Sequence, residues 1–509
     1  MSRTRLSLSF VALAISASVA GCVPSLQGNE VREPNVKPPE GYGGGTGTTS
    51  SAQKQWSELF SNGELKGLIE IALKNNRELN IQLQEIIIAR NEVSARKGEY
   101  MPKVNANVGA GIERVGKNTS QGRNDDALGL PENMGNFEFG LRGSWEVDIW
   151  KKLRNAAKAA GLRYLATIEA RNFMTTQLVS EIARSYYELL AFDNQIEILK
   201  KNIDIQTNAL EIVKLEKQAA RVTELAVLRF EAEVLKNRSR LFDVEQDRTQ
   251  TENRINFLVG RFPQPVARNP AELKAPLPEG IQSGLPSQLL ENRPDVREAE
   301  LEMAAAKLDV QVAKAAFYPS LSLDADVGYR SFNAAHLVQT PESLVYNVAG
   351  NLSAPLLNRS AITAQYRTSN AKQIQAVLNY EKVVLQAFTE VANQIAMIGN
   401  LQKSYELQTQ QVDTLARAAE VSNILFQSAR ADYMEVLLTR RDSLDAQLEV
   451  VETRRRQFQS VVGIYQALGG GWRVGTAPGG NGAGGATGNG GANGNGGASG
   501  NGGASGSGG

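Results

Sequence analysis

The chain is expected to be mainly α-helical with a small β part, built from two internal repeats. Three observations predict this. Two long proline-free stretches carry an apolar period of seven, four short stretches carry a period of two, and one plan of elements recurs along the chain.

The N-terminus is set apart first. Arg3 and Arg5 precede an apolar run, Leu6 to Ala17, that is too short to span a bilayer as a stable helix. Val19-Ala20-Gly21-Cys22 follows, so residues 1–21 read as a secretory signal. Cys22 is the only cysteine, and it stands where a bacterial lipoprotein carries its acyl chains. The plainer reading is an ordinary signal with an incidental cysteine. Val23, where an Asp marks inner-membrane retention, favours the outer membrane. Acyl chains contribute about 0.8 kcal/mol per buried methylene, so several anchor firmly. Residues 22–55 include Pro34, Pro38, Pro39 and Gly43-Gly44-Gly45, and predict an extended tether. Residues 475–509 are almost wholly Gly, Asn, Ala and Ser, and predict a disordered tail.

Composition removes several function classes. With 55 basic and 54 acidic residues there is no basic field for nucleic acid. One histidine and one cysteine make neither a His/Cys metal cluster nor an intrachain disulfide. A Ser–His–Asp arrangement is not suggested either. After the signal no run of 18 apolar residues occurs. A membrane crossing would therefore have to be a β-barrel.

The helices come next. One ladder runs Ile182, Leu189, Ile196, Ile203, Leu210. A second runs Val377, Val384, Val391, Ile398, Tyr405, Val412, Ala419, Phe426. A strict period of seven predicts helices supercoiled against neighbours. Residues 150–215 and 358–424 lack proline. Each stretch can form a rod on the order of 100 Å long.

Four stretches alternate instead: Val104–Ile112, Phe137–Trp145, Leu321–Tyr329 and Tyr346–Leu352. Each has one apolar and one polar face and roughly the length of a tilted transmembrane strand. A soluble half-buried sheet is the alternative. The repeat weighs against it. Helix, Tyr100-Met101-Pro102, strand pair and two long helices recur as helix, Phe317-Tyr318-Pro319, strand pair and two long helices. Pro102 and Pro319 lie 217 positions apart, and Arg221 and Arg430 lie 209 apart. Each proline stops a helix and biases the chain to extend. The first repeat is expected over 56–280 and the second over 281–474.

Four strands leave two bare edges, which in lipid cost several kcal/mol per unpaired group. Closure must come from other chains. Eight strands from two copies would fill their lumen with side chains, whereas twelve from three leave a wider one. The polar faces bearing Glu138, Arg142, Asp324 and Asp326 would then line water, and the helices would continue the tube.

Taken together, these features resemble the outer membrane factors, the TolC-like channels of Gram-negative efflux and secretion systems. The lipoprotein branch paired with resistance-nodulation-division pumps is the most similar. The resemblance covers residues 56–472. It rests on the repeat, the two proline junctions, Leu289-Leu290-Glu291-Asn292-Arg293-Pro294-Asp295-Val296 and Ser144-Trp145-Glu146-Val147-Asp148-Ile149-Trp150. It implies a homotrimer with a twelve-stranded barrel in the outer membrane and a helical barrel in the periplasm. An equatorial belt would come from the terminal segments. Partners would be a periplasmic adaptor protein and an inner-membrane resistance-nodulation-division pump. That pump supplies the energy, so no cofactor is implied.

The same resemblance places a gate at the helix–helix turns near 216–224 and 425–435. Glu435 falls on the family's ring-acid position, and three copies would repel each other while attracting cations. Ala429 replaces a usual turn glycine, and Leu438 and Ala226 stand where further acids occur. The gate would then be Glu435 with apolar closure. Asp432 either joins the gate or caps the last helix. Arg430 and Arg221 either bridge neighbouring tips or are solvated charges at helix ends. Trp145 and Trp150 either sit at the membrane interface or pack a core. His336 falls in an expected external loop, Phe332–Glu342, and seven scattered methionines give no metal relay. Two rivals remain: a type I protein secretion channel on the same fold, and a lipid-anchored coiled-coil scaffold that does not span the membrane. An enzyme is the least supported class.

Overall fold

A computed structural model describes residues 23–26, 30–42, 50–278, 283–428 and 430–472. The signal, Cys22, Ala429 and residues 475–509 lie outside the described residues. All described residues belong to one unit, Met1–Arg473.

Its elements are α1 (Trp56–Leu59), α2 (Gly63–Asn75), α3 (Arg77–Glu99), β1 (Lys103–Glu113), α4 (Ser120–Ala127), β2 (Met134–Val147), α5 (Lys152–Gln218) and α6 (Glu224–Val259). There follow α7 (Leu289–Asn292), α8 (Pro294–Ala315), β3 (Ser320–Ser331), β4 (Leu344–Ser353), α9 (Ser360–Gln427) and α10 (Tyr433–Ala467). The plan of helix, strand pair and two long helices thus occurs twice. The short α4 inside the first strand connection is an element that no periodicity announced.

The two rods, α5 with 67 residues and α9 with 68, are the proline-free stretches. Their ladders are buried differently. On α5 all five rungs, Ile182 to Leu210, are buried. That helix is central and packs against α3, α6, α8 and α10. On α9, Val377, Val384 and Val391 are buried, while Ile398 to Phe426 are only half-buried. This helix packs against α8 and α10 and forms a flank. Toward the sheet, neighbouring helices run α3, α5, α8, α9; toward the helix–helix turns they run α6, α5, α10, α9.

The junctions are fixed by the Trp145–Trp150 stretch. Trp145 Nε1 donates to Tyr100 O at 3.0 Å, and Trp150 Nε1 to Pro319 O at 2.7 Å. Each indole therefore holds the helix-to-strand junction of one repeat. Trp150 also stacks on Tyr318 at 4.7 Å. Between them, Asp148 accepts from the Leu153 and Arg154 amides at 3.1 and 2.9 Å and caps α5. The Leu289–Val296 stretch does comparable work. Its buried Arg293 pairs with Asp295 at 2.6 Å and Glu390 at 2.7 Å, and donates to Ala467 O at 2.9 Å. It ties the start of the second repeat to α9 and to the end of α10.

The expected tether is extended but not free. Arg32 pairs with Glu381 at 2.8 Å, and the Asn35 amide donates to the same carboxylate at 2.9 Å. Lys307 pairs with Glu33, and Tyr42 stacks on Phe388 at 5.3 Å. The described part is thus strapped along α8 and α9. An exposed Pro/Gly-rich composition does not reveal this, because the partners lie more than 250 residues away.

Candidate functional site

The four strands form one antiparallel sheet in the order β1-β2-β3-β4. Its register carries both periodicities across every strand. Opposed residues Ala106, Leu141, Val327 and Tyr346 make one apolar row, and Val108, Phe139, Tyr329 and Leu344 make another. On the other face, Asn105, Arg142, Asp326 and Asn347 make a polar row. The apolar face is bare: Val104, Val108 and Ile112 are 66, 88 and 81% exposed, and Tyr346 and Val348 are 78 and 80% exposed. Such a face suits lipid rather than a soluble core.

The four expected wall residues share the polar face. Glu138 lies opposite Arg330 and pairs with it at 2.6 Å. Asn347 donates to Asp326 at 3.4 Å and Asn351 to Asp324 at 3.1 Å. Arg142 lies opposite Asp326. Arg330, the ion-pair partner, was not singled out by the sequence, because it lies 192 residues from Glu138. At the centre of this face Gly140 opposes Gly328. A Cβ on either would come within 2.6 or 2.4 Å of backbone oxygen, so the strands approach this closely only with glycine there. Among the described residues, both outer strands, β1 and β4, have one unpaired edge.

The turns at the far end are alike in backbone and unlike in side chains. The Arg221 amide donates to Glu216 O at 2.9 Å, and the Arg430 amide to Leu425 O at 2.9 Å. This six-residue closure satisfies helix-end carbonyls, with Ala220 left-handed at φ 55° in the first turn. Both arginine side chains are exposed. In the first turn Lys217 pairs with Glu224. In the second, Glu435 is exposed in the opening turn of α10. Asp432 occupies the N-cap position of α10, yet its carboxylate makes no capping hydrogen bond. Between the turns, Arg229 Nη1 lies 2.8 Å from Met434 Sδ, and Arg240 pairs with Asp445 at 2.8 Å. These links join the repeats across 205 residues, and no sequence period signals them.

Among the described residues no helix is long and apolar enough to cross a membrane. The exposed apolar band lies on the sheet.

Comparison with known proteins agrees with this architecture. The pattern of the family described as outer membrane efflux protein matches residues 68–261 and 285–470. The pyoverdine export outer membrane protein OpmQ of Pseudomonas aeruginosa is 31% identical over 82% of this chain and 88% of its own length. The probable outer membrane lipoprotein SilC of Salmonella typhimurium is 25% identical over 82% of this chain and 88% of its own. In fold, the open state of the MtrE outer membrane channel of Neisseria gonorrhoeae aligns with a TM-score of 0.75 at 22% identity, covering 89% of this chain and 98% of that one. Matched over both repeats, the chain belongs to the outer membrane efflux protein family and is an outer-membrane efflux channel.

Proposed function

We propose that three copies of this chain close into a passive exit duct, anchored by lipid at Cys22 and gated at the helix tips. The observation that carries it is the sheet. Apolar rows face one way, charged rows the other, and among the described residues both edges are unpaired. The helical layer has matching flanks. On one side α3 and α6 expose Ile81, Ile88, Leu235 and Phe242; on the other α9 exposes Leu385, Leu407 and Ile424. Joining copies edge to edge pairs the backbone and covers these side chains together. Three copies give twelve strands and a lumen wide enough for small toxic compounds.

The lumen then carries Glu138, Arg142, Asp324 and Asp326, and Glu435 rings the periplasmic neck, with Asp432, Arg430 and Arg221 around it. Anchoring is supported from the other end. Val23 and Leu26 pack beside Phe317, just before β3, so the residue after Cys22 sits at the base of the sheet. SilC carries the name of a probable outer membrane lipoprotein. Export energy comes from an inner-membrane resistance-nodulation-division pump, joined through a periplasmic adaptor.

Single-channel conductance in planar bilayers tests the reading. Low, cation-selective conductance that rises or changes selectivity in Glu435→Ala supports the gate. A conducting but unaltered variant removes Glu435 from it, and failure of folded trimers to insert overturns the duct.

A further inference from the structure

The connection between the repeats, residues 262–284, falls between the two stretches that match the family pattern. Its described residues Val266–Ala275 are nonetheless densely bonded. The Val266 amide and Arg268 Nη1 both donate to Glu252 on α6 at 2.8 Å. Arg268 also pairs with Asp193 on α5 at 2.5 Å. Asn194 of α5 donates to Pro270 O at 2.9 Å, and Tyr186 of α5 donates to Glu272 at 3.3 Å. Arg454 of α10 then donates to Leu273 O at 3.1 Å and to Ala275 O at 2.5 Å. The segment crosses α6, α5 and α10 in turn.

Arg454 extends this to the fourth helix. Its guanidinium carbon lies 5.0 Å from the Tyr405 ring centre on α9 and 5.1 Å from that of Phe458. Nη1 donates to Gln457 at 2.7 Å, and Gln457 donates to Leu401 O on α9 at 3.2 Å. Phe458 stacks on Tyr187 of α5 at 4.5 Å. Burial lowers the Arg454 pKa, and its bonded partners are two carbonyls and an amide rather than a carboxylate. Among the described residues Arg454 has no carboxylate within ion-pair distance, and a half-buried cation kept so is expensive unless its directed bonds are needed.

The anchors lie at one level. Asp193 precedes Arg221 by 28 residues and Glu252 follows it by 31; Tyr405 precedes Arg430 by 25 and Arg454 follows it by 24. Below this level the helices run on the order of 40 Å to the tips. A small rotation there becomes a large displacement at the tips. The belt that the resemblance assigned to terminal segments therefore includes the connection between the repeats.

We propose that Val266–Ala275 is a collar that holds the closed state, and that Arg454 is the positioning residue fastening its end. The collar sets where the tips begin to move, and releasing Arg454 lets the lower helices splay. This rests on the tips being the gate.

The test compares acylated trimers of wild type, Arg454→Lys and Glu435→Ala in planar bilayers, with trimer melting followed in parallel. Lys keeps the charge but loses the planar stack and the paired donation. The expected result is a conductance at least three-fold above wild type in Arg454→Lys with melting unchanged. Wild-type conductance in Arg454→Lys, beside an altered Glu435→Ala, would overturn the collar and leave the gate. Wild-type conductance in both would overturn the gate reading itself. If Arg454→Lys does not assemble, Tyr405→Leu keeps the guanidinium and removes one ring; it must raise conductance in the same direction. Unchanged conductance there, or failure of both variants to assemble, would overturn the proposal by making Arg454 a folding residue.

Discussion

The two helical hairpins of the chain share a plan and a turn geometry but are buried unequally. In the first, Leu210 and Val213 of α5 meet Ala226, Val227, Phe230 and Val234 of α6, and this apolar cluster reaches the turn. In the second, α9 beyond Leu401 buries only Ser422. Both carry a heptad ladder. The difference lies in position: α5 has neighbours on both sides, whereas α9 is a flank whose remaining surface awaits another copy. A sequence period states that a helix has an apolar stripe; it does not state which chain covers it. The first hairpin buries its apolar stripe within one copy, with Tyr433 and Leu437 of α10 packed against it and Leu444 and Leu448 clustered with Ile196, Leu199 and Val244, whereas α9 leaves its outer face uncovered.

The largest expected effect breaks the first hairpin. Phe230→Ala should cost about 3–5 kcal/mol in denaturant unfolding, because Phe230 is 3% exposed in a packed cluster. The half-buried Phe426→Ala should cost about 1 kcal/mol in the single chain. Equal costs would end the contrast. Next, Leu407→Asp on the flank of α9 should weaken association by roughly 2 kcal/mol per contact while leaving helicity unchanged. Light scattering with circular dichroism separates the two, and intact trimers would remove Leu407 from the interface.

A pH effect sharpens the contrast by acting above both hairpins. Glu298 on α8 is raised to about 7 by burial, helped by Glu302 and Asp295 on the same helix and Glu169 on α5. A raised carboxyl binds more protons folded than unfolded, so stability falls as pH rises from about 4.5 to 7. Glu298→Gln should remove this slope and raise stability at pH 8 by about 1–2 kcal/mol, allowing for solvent screening. A melting curve that keeps its pH slope in the variant would refute the assignment. The smallest effect is at the second tip. Asp432→Ala should change stability by less than about 0.5 kcal/mol, since no capping bond exists there. Asn62→Ala should cost about 1 kcal/mol, since Asn62 accepts from the Leu65 amide at 2.8 Å.

Element types were legible in this sequence because local periods encode them. Period two gave the four strands within a few residues, and proline-free heptads gave both rods. The prolines marked the junctions, and the strand alternation put Glu138, Arg142, Asp324 and Asp326 on one polar face; Glu435 was named by the resemblance alone and stands as a proposal. Tertiary structure alone decided who meets whom. The Glu138–Arg330 pair, the two tryptophan latches, the Arg293 node, the strapped N-terminal segment and the Arg454 collar all join residues far apart in the chain. Such contacts leave no period, because each is a single bond between elements whose register is chosen by packing. That is also why heptad ladders of the same period on α5 and α9 ended in unequal burial.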